Sequence, residues 1–248
     1  MPINRKRFLQ STGWAAAGVS LGALGGSSVV SARTGLGVES FSQCGEDIAV
    51  EYILKRLYLR SITYLDIGAN DPIELSNTYH FYRAGHRGVL VEPNVSLCEK
   101  LRAVRPGDTT LVAGIGVTAQ AEADYFIMNR PALNTFSRED AEHQVRVTKG
   151  KLKVEKVIKM PLLNINDVIR EHFKEAPTFL SVDTEGLDLA ILKSLDYARY
   201  RPAVICAETL VPRTTKVLPE IAEFMAGEGY VARGGSFVNT IFVDGKLF

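Results

Sequence analysis

The stretch Tyr64-Leu65-Asp66-Ile67-Gly68-Ala69-Asn70-Asp71 decides the fold. An apolar run stops abruptly in acidic, glycine and amide residues, the pattern of a buried parallel strand that delivers polar groups at its carboxyl end. Val89-Leu90-Val91-Glu92-Pro93 repeats that pattern, and Glu74 to His86 between the two suits a helix closed by Gly85 and Gly88. The unit reads as β–α–β, with a glycine turn after the first strand and an acid closing the second. In a doubly wound sheet, that geometry holds an adenosine-containing ligand at the topological switch point. Gly68 would let the backbone approach the ligand, and Glu92 stands where an acid accepts both ribose hydroxyls. A single glycine replaces the three of the dinucleotide fingerprint, so a purely structural strand–turn–helix is the alternative.

Outward from this unit the α/β rhythm continues. Ser42-Gln43-Cys44-Gly45-Glu46-Asp47 opens a helix, with acids in its first turn and Ile48, Tyr52, Ile53, Leu57 and Tyr58 at helical spacing. Val95 to Arg105 is the next predicted helix, stopped by Pro106-Gly107. Thr109 to Val117 is a third strand, whose Ala113-Gly114-Ile115-Gly116 would let a flat ring approach the backbone. From about residue 118 to 177 the rhythm changes: Ala123–Met128 and Lys153–Met160 alternate loosely, as in a half-exposed antiparallel pair. Leu133-Asn134-Thr135-Phe136-Ser137 lies in a loop between them, and Asn166–Lys174 is helical in pattern. The βα rhythm resumes at Thr178-Phe179-Leu180-Ser181-Val182-Asp183-Thr184-Glu185-Gly186. A helix over Leu187–Leu195, a strand over Pro202–Glu208 and a helix over Pro219–Glu228 follow. Tyr230–Arg233 and Thr240–Asp244 close the sheet as a terminal pair that includes an antiparallel strand. The expected fold is a doubly wound, mostly parallel, seven-stranded Rossmann-like α/β sheet with a β-containing insertion at about 118–177.

Residues 1–32 differ from the rest. Arg5-Lys6-Arg7-Phe8-Leu9 precedes a Gly/Ala/Ser/Val stretch ending Val30-Ser31-Ala32, a secretory pattern of basic start, modest apolar run and small residues. Asn4-Arg5-Lys6-Arg7-Phe8-Leu9-Gln10 resembles a twin-arginine export signal, with Lys6 in place of the second arginine. The segment is thus read as signal-like or disordered, and residues 33–248 as the folded domain. A length of 248 residues with 46% hydrophobic and 23% charged content suits one soluble α/β domain. A formal net charge of +1 gives no electrostatic case for nucleic acid. Cys44, Cys98 and Cys206 are too scattered for a disulfide framework or a zinc site.

Five βα strands and a terminal pair resemble the class I S-adenosylmethionine-dependent methyltransferases, and from about residue 40 onward the chain is similar to the FkbM-type family. The carrying stretches are Leu65–Asn70, Val91-Glu92-Pro93, Val182–Gly186, Ala207-Glu208 and Asn239–Val243, with Ser42–Asp47 resembling a lead-in helix. The resemblance implies S-adenosylmethionine as methyl donor and a hydroxyl of a sugar or glycosylated metabolite as acceptor. By position, Asp66 and Gly68 would face the methionine part and Glu92 the ribose, while Asn70 closes the first loop. Gly114 stands where a polar residue beside the adenine is expected.

Methyl transfer to a hydroxyl needs an aligned acceptor and a proton acceptor. Asp183, Glu185 and Glu208 are the carboxylates expected at the same sheet edge, and His143 in the insertion is the imidazole expected there. His80 reads as a surface histidine. Asp183 and Glu208 could instead hold Mg²⁺ against a sugar diol, since hard oxygen ligands favour it. Thr135, Phe136 and Ser137 are expected at the acceptor side. Two competing readings stand beside this one. An exported binding module could keep the fold without turnover, because the signal-like start conflicts with a cofactor made in the cytoplasm. A nicotinamide-dependent oxidoreductase would need the glycine fingerprint this chain lacks.

Overall fold

The computed structural model describes residues 37–130, 133–184, 186–210 and 216–248. The signal-like segment and Glu185 therefore lie outside the described residues. Ser40–Phe248 is one compact unit.

Its centre is a seven-stranded sheet in the order β3-β2-β1-β7-β8-β10-β9. The parallel strands are β1 (Thr63–Ile67), β2 (Arg87–Glu92), β3 (Thr109–Val112), β7 (Phe179–Val182) and β8 (Val204–Glu208). β10 (Asn239–Asp244) runs antiparallel between β8 and β9 (Tyr230–Gly235). The chain winds from β1 to one edge and returns beside β1 with β7, so the switch point falls between β1 and β7.

Period-two alternation divides the core. Leu65, Ile67, Val89, Val91, Leu180, Val182 and Ile205 face one side, beneath α5 (Ile165–His172), α6 (Asp188–Ser194) and α7 (Pro219–Gly227). Tyr64, Leu90, Phe179, Val204 and Cys206 face the other, with α1 (Glu46–Arg56), α2 (Tyr79–Arg83) and α3 (Val95–Val104). Asp66 has the parity of Tyr64, so its carboxylate belongs to the α1–α3 side. That parity decides the site described below.

Three elements depart from the sequence reading. α1 buries Glu46, Asp47, Val50 and Leu54, whereas Tyr52 is 66% and Tyr58 80% exposed. The stripe of larger apolar residues lost to two acids, because both acids are fully engaged. Asp47 accepts from Phe41 N, Ser40 Oγ and Ser42 Oγ, and Glu46 from Cys44 N, Ser236 Oγ and Asn239 Nδ2. The helix expected over 74–86 shrinks to Tyr79–Arg83. Asp71 Oδ1 closes a turn on Ile73 N and Glu74 N, and Ser76 Oγ accepts from Tyr79 N. The third strand breaks after Val112, and β4 (Gly114–Ile115) joins a second sheet, β4-β6-β5. There β5 (Glu122–Met128) and β6 (Val154–Leu163) form the expected antiparallel pair. They are joined through α4 (Arg138–Val147), a helix the sequence reading missed.

Candidate active site

A cavity of about 590 Å³ opens at the carboxyl ends of β1, β2 and β7. Asp66, Gly68, Asn70, Glu92, Gly114 and Asp183 all line it.

Gly68 joins the two halves of its floor. It has φ +83, and a Cβ there would lie 1.9 Å from the Asp183 carbonyl oxygen. Asp183 N in turn donates to Ile67 O at 3.0 Å. Only glycine allows β1 and β7 to approach this closely while the chain turns in the left-handed region. Asn70 also has positive φ, 49°, which its residue type tolerates.

Glu92 is buried, yet both its oxygens are used. Oε2 accepts from Asn70 N at 2.9 Å and Oε1 from Asn94 N at 2.8 Å. Asn94 then caps α3 by accepting from Ser96 N. The carboxylate thus ties the loop after β1 to the loop after β2, and each oxygen keeps a further lone pair for a ligand hydroxyl. Burial pushes its pKa up, opposed by the two backbone donors.

Asp66 is buried at the end of β1. Thr78 Oγ1 donates to its Oδ2 at 2.5 Å. Ser181 is its register partner on β7. Thr78 is polarised from behind: Arg105 Nη2 donates to Thr78 Oγ1 at 3.0 Å. Arg105 itself is wholly buried and ion-paired with Asp108, which also accepts from Tyr64 OH and Gly88 N. Burial raises the Asp66 pKa, with Thr78 and Arg105 opposing it. On the far side of Ser181, Asn77 Nδ2 donates to Ser181 Oγ at 3.2 Å, while Asn77 Oδ1 is buried without a partner.

The remaining wall comes from the lead-in and the insertion. Gln43, Asn134, Thr135, Phe136 and Ser137 line the cavity. The flat ring over Gly114 belongs to the protein: a Cβ at that position would meet Phe136 Cζ at 2.6 Å. Phe136 leans on Tyr125 with ring centroids 4.7 Å apart. Asp188 was missed as well; its carboxylate accepts from Thr184 N and Gly186 N, holding the loop after β7.

Two predicted residues do not reach the cavity. His143 lies on the exposed side of α4, whose inward positions are Ala141 and Gln144. Glu208 stays outside the lining because β8 lies one strand beyond the β2–β1–β7 group, where Glu208 pairs with Asn239. Asp183 is therefore not joined there by Glu208 as a metal pair. Among the described residues no group of three or more His, Cys, Asp or Glu gathers as a metal site. His80 pairs with Glu51 through Nε2 at 3.2 Å, and Asp71 takes the turn role described above.

The buried acids carry a pH signature. Asp66, Glu92 and Asp188 are all raised by burial, so the native state holds protons that the unfolded chain has released. Stability should then fall as pH rises from the ordinary carboxylate range, about pH 4, through the folded pKa values. Glu46, Glu51 and Asp244 are shifted downward by their hydrogen-bond partners against the raising effect of burial. Their contribution is lost only as pH falls below the ordinary range. His86, lowered by burial and Arg87, opposes the decline with one group. Urea melts stepped upward from about pH 4 should show stability declining as the pH leaves the ordinary carboxylate range; a rise starting there would contradict the assignment.

The donor set suits an adenosyl amino acid: a two-oxygen acceptor on the β2 end and a second carboxylate on β1. When bound, S-adenosylmethionine supplies an electrophilic methyl on a sulfonium. Glu92 would hold the ribose and Asp66 the methionine end.

The sequence profile of the Methyltransferase FkbM domain matches residues 66–232, more than half of the chain. No curated protein matches. Solved structures with a similar fold include a TehB-like SAM-dependent methyltransferase from Corynebacterium glutamicum (TM-score 0.45, 9% identity, 82% of this chain and 89% of that one). Another is an O-methyltransferase from Bacillus cereus in complex with SAH (TM-score 0.41, 14% identity, 84% of each chain). A third is a precorrin-6y C5,15-methyltransferase from Geobacter metallireducens (TM-score 0.40, 12% identity, 78% and 85%). With the matched segment running from Asp66 through both buried acids and the β7 end, the chain belongs to the FkbM family of S-adenosylmethionine-dependent methyltransferases.

Proposed function

We propose that the protein transfers a methyl group to a hydroxyl of a sugar or glycosylated metabolite. The observation that carries this is the cavity wall. Among the described residues it contains Gln43, Asn77, Asn134, Thr135 and Ser137, with Asp66, Glu92, Asp140 and Asp183, and no Lys, Arg or His. Neutral hydrogen-bonding groups suit a polyol, and a lining with four acids and no cation disfavours phosphorylated acceptors and nucleic acid.

Asp183 is the residue assigned to the acceptor proton. It is half-buried at the end of β7, beside the Gly68 turn. A carboxylate there can accept the hydroxyl proton as the new C–O bond forms. Asp183→Asn should leave S-adenosylhomocysteine affinity within about twofold and lower kcat by about 10²-fold or more. A loss of affinity with kcat unchanged would remove Asp183 from the chemistry. The substrate class is tested by calorimetric titration of S-adenosylhomocysteine into the full chain, followed by turnover with neutral glycosides, sugar phosphates and amines. Turnover confined to amines, or binding with no turnover on any class, would overturn the proposal. Repeating the assay with Mg²⁺ tests whether Asp183 recruits a cation.

A further inference from the structure

The insertion that walls the cavity concentrates positive charge at its outer tip. Arg130, Arg146, Lys149, Lys151, Lys153 and Lys156 are all exposed there, with the acids Glu142 and Glu155 among them. Arg146 approaches Glu142 only to 3.9 Å. Among the described residues, Arg130 and these lysines form no ion pair, whereas Arg138 and Lys159 share Asp124. The whole chain has a formal net charge of +1, so the cluster is a local concentration and not a general basicity.

The backbone of the tip is fixed, so the charges are held in place. Gly150 N donates to Val145 O and Lys149 N to Arg146 O, the paired closure that ends α4. That closure needs a left-handed residue just past the helix cap, a place glycine usually takes. Here it is Lys149, with φ +51, although Gly150 is its neighbour. Thr148 Oγ1 accepts from Leu152 N at 3.1 Å, and Leu152 is buried in the cluster of Phe126, Met128 and Ala141. Asn129 ties in the other arm: its side chain accepts from Lys153 N and donates to Lys151 O, each at 3.0 Å. Arg130 follows it directly in the chain.

Val147 and Val154 stand between the cations, 60% and 37% exposed. Lysines interleaved with aliphatic side chains match a bilayer interface, where ammonium groups meet lipid phosphates and methyl groups enter the headgroup layer. A single-stranded nucleic acid calls for aromatic stacking platforms, and residues 142–156 contain no Phe, Tyr or Trp.

We propose that the tip of the insertion, Arg146 to Lys156 with Arg130, docks on an anionic lipid bilayer. Ser137 and Asp140, at the start of α4, line the cavity, and the 10 residues of the helix span about 15 Å to the tip. Docking thus keeps the cavity wall one short helix from the bilayer, in reach of acceptors displayed on it. This goes beyond the methyl-transfer reading and does not depend on it.

The test is co-sedimentation of the full-length protein with vesicles of phosphatidylcholine, alone or with about one-third phosphatidylglycerol. The parent should bind the mixed vesicles at least about tenfold more tightly at roughly 50 mM NaCl and lose that preference at roughly 0.5 M. Lys149→Gln, Lys151→Gln and Lys153→Gln together should weaken binding to the mixed vesicles by about 100-fold. Melting temperature and S-adenosylhomocysteine affinity should stay at the parent values in that variant, so this proposal and the methyl-donor site fail separately. Arg5→Gln, Lys6→Gln and Arg7→Gln together, which remove the basic start of the chain, should keep the preference for anionic vesicles. Equal binding to both vesicles, no binding to either, or a preference carried by the start of the chain would overturn the proposal. So would a tip variant that binds as the parent does, or tighter binding of a single-stranded oligonucleotide than of the mixed vesicles.

Discussion

Replacing Glu92 with alanine should weaken S-adenosylhomocysteine binding by about 100-fold, the largest loss of affinity expected from a single side chain here. Two effects combine. The ligand loses its two hydroxyl acceptors, at roughly 0.5–1.5 kcal/mol each. The pocket also loses the clasp that joins Asn70 N to Asn94 N across the ends of β1 and β2. Those two amides would be left without their acceptor, at about 1–3 kcal/mol each, so melting temperature should fall as well, by roughly 2–4 °C per kcal/mol at this size. Glu92→Gln separates the two effects. Its single carbonyl can serve one backbone donor, but its NH₂ confronts the other, so affinity should lie between parent and alanine. A Glu92→Ala protein that melts lower yet binds the ligand as the parent does would make the residue a clasp only.

Arg105→Met should cost about 3–5 kcal/mol of stability, the usual result of removing one partner of a buried ion pair. Both side chains of the pair are fully buried, and the guanidinium donates through Nε and Nη2 to Asp108 at 2.9 Å. It also donates to Thr78 and Ser76, and lies over the Tyr64 and Tyr82 rings at 5.5 and 5.4 Å. Without it, Asp108 keeps only Tyr64 OH and Gly88 N to answer a buried charge. Adding Asp108→Asn removes that charge, so the double variant should be more stable than Arg105→Met alone, a coupling that a double-mutant cycle measures directly. A single variant within about 1 kcal/mol of the parent would mean the charge pair is not a structural keystone. The consequence reaches the active site, because Thr78 loses the donor that aims its proton at Asp66.

These two residues mark different limits of what sequence can show. Glu92 was legible because its role follows from position alone: an acid closing the strand after a glycine turn reaches the switch point in any doubly wound sheet. Arg105 was read only as the last residue of a helix. Nothing local says that this helix end is buried, or that Tyr64 of β1 faces the pair Arg105 makes with Asp108 in the following turn. The insertion shows the same division. Loose alternation revealed β5 and β6, whereas α4 was missed between them, and with it the exposed orientation of His143. α1 was misread in its buried face, because a buried acid is recognisable only once its donors are known, and those of Glu46 come from residues 236 and 239.

The sequence by itself determined the strands of the main sheet, the polar ends of β1, β2 and β7, and the family, because strand periodicity and strand-end chemistry are local properties written within a few residues. Only the tertiary structure decided which of those ends share a cavity. Asp66 and Ser181 are register partners of the parallel strands β1 and β7, Asn77 reaches Ser181 across 104 positions, and Glu208 stands outside the lining on β8, the strand next past β7. Those relations depend on strand order and side-chain parity, set when the sheet assembles and its core is buried.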